Sequence, residues 1–114
     1  MGTQPAKDRS AGLVQGTLDM LILKTLALEA MHSYDIGARL ARVSQGVFVV
    51  NPGSLFPAFR RLERSGLIRG EWRDTENNRR ARYYSLTSRG RKRLGDETKH
   101  WRRLSGAIAR VLEA

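Results

Sequence analysis

Apolar residues recur along the chain at a helical period, then at a strand period, then at a helical one again. Between about Thr17 and Met31, Leu18, Leu21, Ile22, Thr25 and Leu26 fall at the three-and-four spacing of one helical face, and Met20, Leu23, Ala27 and Leu28 widen it. This predicts a first helix packed over most of its circumference. "HSYDIGARLARVSQG" follows, with Ser33 as a candidate N-cap and Ile36, Leu40 and Val43 on one side, predicting a short second helix that ends near Ser44 to Gly46. "VFVV", residues 47–50, is β-branched and aromatic but short, and reads as a brief strand or an extended link.

"NPGSLFPAFRRLERSGL", Asn51 to Leu67, carries a helical rhythm with a proline inside it. Proline fits a first helical turn, where its missing N–H has no intrahelical partner. Pro57 therefore predicts a start near Gly53 or Ser54, with Ser54 as the cap. On a helical wheel Leu55, Phe59 and Leu62 cluster on one side, while Pro57, Arg60, Arg61 and Arg64 lie opposite, and Gly66 supplies the stop. The period then changes to two. Residues 67–74 and 81–87 read as strands of a hairpin turning at Asn77 and Asn78. Tyr84 and Leu86, with Trp72, are expected to seal it to the helices, and Arg79, Arg80 and Arg82 to crowd its tip. A last helix from Ser88 to Leu112, capped by Thr87 or Ser88, repeats Leu94, Trp101 and Ile108 every seven residues, joined by Leu104, Val111 and Leu112. Gly95 and Gly106 lower its intrinsic propensity, so tertiary or subunit packing must hold it.

Charge sharpens this picture. The 114 residues carry a net charge of +10 and a pI near 11.2, which points to a polyanionic partner. Residues 60–103 hold 15 basic against 6 acidic side chains, so the excess belongs to the third helix, the hairpin and the start of the last helix. Without cysteine and with His32 and His100 alone, neither a disulfide framework nor a zinc site is expected, and no cofactor. The inventory also argues against an enzyme, since it has no paired carboxylates at a motif spacing and no phosphate-binding loop. The apolar run "LDMLILKTLAL" is interrupted by Asp19 and Lys24 and is too short for a bilayer, so no membrane association is expected.

Three helices, a hairpin and a long final helix make a mainly α fold with a small β-hairpin: a winged helix-turn-helix extended by a C-terminal dimerisation helix. Residues 1–12 are expected to form a flexible N-terminal arm, 13–87 the winged-helix DNA-binding domain, and 88–114 the dimerisation helix. In such a fold the third helix can enter a major groove ~12 Å wide while the hairpin follows the backbone.

The ordered set "GTLDMLILKTL", "MHSYDI", "GSLFPAFRRLERSGLI", "EWRDTENNRRARYYSLTSRGR" and "HWRRLSGAIARVL" resembles the PadR-type transcriptional regulators, in their short subclass with one C-terminal helix. The resemblance covers roughly Leu13 to Leu112. It implies a cytoplasmic, nucleoid-associated homodimer that binds an inverted repeat in double-stranded DNA, usually as a repressor, and that a small hydrophobic or aromatic effector releases. By position, Ser54, Phe56, Pro57 and Arg61 match the family's recognition helix, Tyr34 the aromatic that opens its second helix, and Arg79, Arg80 and Arg82 its wing. Three positions depart from the pattern: Phe56 stands where tyrosine is usual, Phe59 where leucine is, and Ser33 where glycine is. Arg60 and Arg64 read equally well as DNA contacts or as solvated surface. Leu94, Trp101, Leu104, Ile108, Val111 and Leu112 are the expected dimer interface. Trp101 reads first as an anchor of that interface and second as a stacking partner for a flat effector. The alternative function is a winged helix that binds nucleic acid without sequence preference, or binds another protein.

Overall fold

The structure, a computed structural model, describes residues 15–114; the expected N-terminal arm lies outside the described residues. The elements run α1 (Gln15–Leu28), β1 (Met31–His32), α2 (Ser33–Val43), α3 (Pro52–Arg64), β2 (Ile68–Asp74), β3 (Arg80–Leu86) and α4 (Ser88–Leu112).

α1 lies in the middle. Leu18, Ile22, Leu23 and Leu26 are buried, and the buried Thr25 hydroxyl donates to the Leu21 carbonyl at 2.9 Å, so its polarity is satisfied within the helix. The helix stops three residues short of the expected Met31, because Met31 and His32 pair with Tyr84 and Tyr83 of β3. The wing is thus a three-stranded antiparallel sheet in the order β1-β3-β2 rather than a two-stranded hairpin. Two residues carry no alternation, which hid β1 in the sequence. Met31 points into the core.

α2 begins one residue earlier than expected: His32 is its N-cap without a side-chain capping bond, and Ser33 is already helical. It ends through Gln45 and Gly46, both at positive φ (55° and 81°). Of the two readings of residues 47–50, the extended link is the one observed.

α3 also starts before the expected position. Asn51 is the cap, its side chain accepting from the Ser54 N–H at 3.2 Å, and Pro52 takes the first helical position. Pro57 therefore sits in the second turn, where it cannot donate to the Gly53 carbonyl. Gly66, at φ 73°, closes the helix: its N–H donates to Glu63 and that of Leu67 to Leu62, both about 3 Å, which is the Schellman arrangement. Leu55, Ala58, Phe59 and Leu62 are buried, and the Phe59 ring lies 5.1 Å from that of Tyr84. One helical stripe thereby joins α3 to both the helices and the sheet.

Register places Ile68 opposite Leu86, Trp72 opposite Arg82 and Asp74 opposite Arg80, and the turn places Asn78 at φ 59°. At the other end of the sheet, the Thr87 hydroxyl lies 2.7 and 3.0 Å from the carbonyls of Gly66 and Leu67 and accepts from the Gly90 N–H at 3.0 Å, capping α4. A Cβ on Gly90 would stand 2.0 Å from the Leu67 carbonyl oxygen, so only glycine lets α4 approach the sheet this closely. Among the described residues, no helix is long and apolar enough to cross a membrane.

Candidate nucleic-acid interface

Positions 56, 60 and 64, each four residues from the next, form one ridge of α3 on the side away from its buried stripe. Phe56 is 43% exposed with its ring edge-on to Phe59 at 5.9 Å; Arg60 and Arg64 are exposed and make no ion pair among the described residues. Pro57 and Ser54 flank this ridge half-buried, and the Ser54 N–H is engaged by the Asn51 cap. Tyr34, in the first turn of α2, is mostly exposed and stacks on His32 at 5.7 Å. At the wing tip Arg79 is unpaired among the described residues. Arg80 and Asp74 approach only to 3.9 Å with both side chains in water, too loose and solvated to neutralise it.

Two expected members of this surface are held elsewhere. Arg61 does not point outward with Arg60 and Arg64. Its Nη2 donates to Asp19 Oδ1 of α1 at 2.9 Å, and its buried Nε has no partner among the described residues. The pair lines a cleft of about 210 Å³ between α1, α3 and α4, which Arg93 and Glu97 also reach. Burial raises the Asp19 carboxyl above its ordinary 3.8, outweighing the hydrogen bond and charge of Arg61; Glu97 adds to the rise and Arg93 opposes it. Desolvation thus exceeds attraction here, as is common for ion pairs drawn out of water.

Arg82 likewise leaves the wing tip. Its Nη2 makes a short charge-assisted bond to Glu63 Oε2 of α3, while its guanidinium lies 5.3 Å from the Trp72 ring and 5.9 Å from that of Tyr84. Trp72, expected to seal the wing, is instead 57% exposed, with this guanidinium lying over its ring. Burial raises the Tyr84 phenol above 10.0, the Arg82 hydrogen bond opposing, so it remains neutral at physiological pH. Sequence reasoning missed the partners Asp19 and Glu63. They lie 42 and 19 residues from their arginines, and no periodicity links such distant positions.

The α4 stripe divides in two. Leu94, expected at a dimer interface, is only 8% exposed and belongs to the core of this chain, because the root of α4 packs on α1. Trp101, Leu104, Ile108, Val111 and Leu112 are 44–79% exposed. Standing on an open helix face, Trp101 can line a closed cavity only if something covers that face.

The family model described as "Transcriptional regulator PadR-like family" matches residues 22–96. The chain belongs to the PadR-like family. It is thereby a transcriptional regulator of a family that binds DNA. A solved PadR family transcriptional regulator from Eggerthella lenta is 30% identical, with 88% of this chain and 85% of that one covered at a TM-score of 0.76. One from Clostridium difficile is 26% identical, with 83% and 97% covered at 0.72. A transcriptional regulator from Clostridium thermocellum, 24% identical, shares the fold over 88% and 97% at 0.78. An uncharacterised protein of Lysinibacillus sphaericus is 25% identical over 101 residues, 89% of this chain and 93% of its own length. The PadR match begins inside α1 and ends inside α4, so it takes in α3 and the wing and stops short of Trp101.

Proposed function

We propose that this PadR-like protein is a homodimeric, sequence-specific repressor acting in the cytoplasm on the nucleoid. The observation that carries this reading is the cationic ridge of α3: Arg60 and Arg64 stand exposed and unpaired among the described residues, beside Phe56 on a helix whose opposite stripe is buried. In this reading the ridge enters the major groove. Ser54, Pro57 and Tyr34 meet the backbone, and Arg79 and Arg80 follow it from the wing. The exposed stripe from Trp101 to Leu112 covers its twin in a second copy, with Leu94 supporting it from the core. Two such ridges would lie about 34 Å apart, one turn of the duplex, and would select a pseudo-palindrome. A small hydrophobic or aromatic effector would act between the copies, stacking on Trp101 and altering that spacing.

The test is selection of bound fragments from a random duplex pool, followed by affinity for the enriched site and its scramble across a salt series. An inverted repeat bound at least ~10³-fold more tightly than its scramble near 150 mM salt is the expected result. Binding that only decays with salt, equally for both duplexes, would overturn it and leave a winged helix that binds polyanions or another protein.

A further inference from the structure

Arg61 and Glu63 sit about 200° apart around α3, so they leave the helix on nearly opposite flanks, with the ridge of Phe56, Arg60 and Arg64 between them. Each is tied to a different element: Arg61 to Asp19 of α1, Glu63 to Arg82 of the wing. From this geometry we infer that Arg61 and Arg82 are positioning residues, two ion-pair braces that fix α3 against α1 on one flank and against the wing on the other. This rests on α3 being the helix that reads DNA.

Three observations carry it. Arg61 and Arg82 are only 29% and 26% exposed along their side chains, against 69% for Arg80 at the wing tip. The space for the Arg82 guanidinium is built into the sheet, since a Cβ on Gly70 would lie 2.7 Å from both Arg82 Nη2 and Tyr84 Cε1. Arg82 therefore crosses a slot that glycine leaves open, between the Trp72 ring and the Glu63 carboxylate. Third, Glu63 is an acid on the helix proposed to approach phosphates, where an unpaired carboxylate would repel them; its pairing with Arg82 cancels that charge and gives it a mechanical use. An arginine committed in this way offers no free charge to a phosphate.

Arg82→Gln, Glu63→Gln, Arg61→Gln, Asp19→Asn and Arg80→Gln, each first shown to be folded by its circular dichroism, are compared on the selected duplex and its scramble over a salt series. Bracing predicts that the first four lower the preference for the selected duplex by about ten-fold, comparable to one mismatched base pair, and leave the salt slope unchanged. Arg80→Gln should instead lower the slope by about 0.9, the signature of one lost phosphate contact. Arg82→Gln should add nothing in a Glu63→Gln background. The inference is overturned if Arg82→Gln or Arg61→Gln lowers the slope by about 0.9. It is also overturned if Glu63→Gln or Asp19→Asn strengthens binding to both duplexes, which would mean that the freed arginine meets DNA. Should the parent protein select no duplex, the proposed function fails on its own, and bracing is read from amide hydrogen exchange without DNA. Glu63→Gln and Arg82→Gln should then each speed exchange across β2 and β3, and unchanged protection would sink the brace.

Discussion

Asp19 shows how a single carboxylate can be costly to bury and still be kept. Its folded-state proton affinity is raised, chiefly by burial, although Arg61 stands 2.9 Å away. With the folded value above the unfolded one, the folded state binds the proton more tightly, so stability from this group is greatest at low pH. It declines as pH climbs from the ordinary 3.8 through the raised value and is level beyond it. Glu97 reinforces the rise and Arg93 counters it, so the difference between the parent and Asp19→Asn isolates this site. Unfolding midpoints measured from pH 3.8 upward should shift in favour of Asp19→Asn as pH rises; parallel curves would contradict the assignment. The sequence disclosed which residues carry charge, but not which charges are spent internally. Arg60 and Arg61 are neighbours of one type, and only the third dimension, which brings α1 alongside 42 residues later, sends one to water and the other to Asp19.

The elements were legible wherever a period ran long enough to count. α4 occupies the range its heptads marked, and the core stripe of α3 is the one its wheel gave. What periodicity could not resolve were the ends, which depend on single hydrogen bonds. Pro57 pointed to a start of α3 near Gly53 or Ser54, but Pro52 takes the first position because Asn51 before it supplies the cap. Asn51→Ala should therefore cost about 1 kcal/mol in denaturant unfolding. Ser54→Ala should cost much less, since only the Ser54 backbone serves the cap. Equal losses would show that the cap had been assigned to the wrong residue. At the root of α4 the contact is tighter. A methyl at Gly90 meets backbone at 2.0 Å and the Leu86 side chain at 2.7 Å, and the backbone cannot swing aside. Gly90→Ala should lose about 3 kcal/mol, the upper range for overpacking, whereas Gly95→Ala, with open space around it, should be neutral or stabilising.

The molecule as a whole leaves the apolar stripe on the distal half of α4 uncovered, from Trp101 to Leu112. Ile108, about half exposed, contributes nothing to the protomer's buried core, so Ile108→Asp tests association without attacking the fold. The proposed dimer predicts that this variant runs at half the parent's mass in light scattering, at equal concentration and with unchanged helicity; an unchanged mass would move the interface elsewhere. The heptads announced this surface, but they also enlisted Leu94. A one-dimensional repeat cannot tell which of its members the same chain has already covered.

The joint at Thr87 governs how the two ends of the molecule turn together. A single residue separates β3 from α4, and its hydroxyl is engaged on both sides, to Gly66 and Leu67 before it and to Gly90 after it. There is no slack for α4 to rotate independently of the wing. The compass bearing of the exposed stripe is consequently clocked to the α3 ridge by this one-residue link and its hydrogen bonds, like two gears keyed to one shaft. One residue inserted after Gly95 would advance the stripe by about 100° and throw the keying out, while seven would return it to within about 20° of its original bearing, about 10 Å farther along the axis. A set of such insertions, read as the half-site spacing each variant selects, would measure how strictly the gearing is kept.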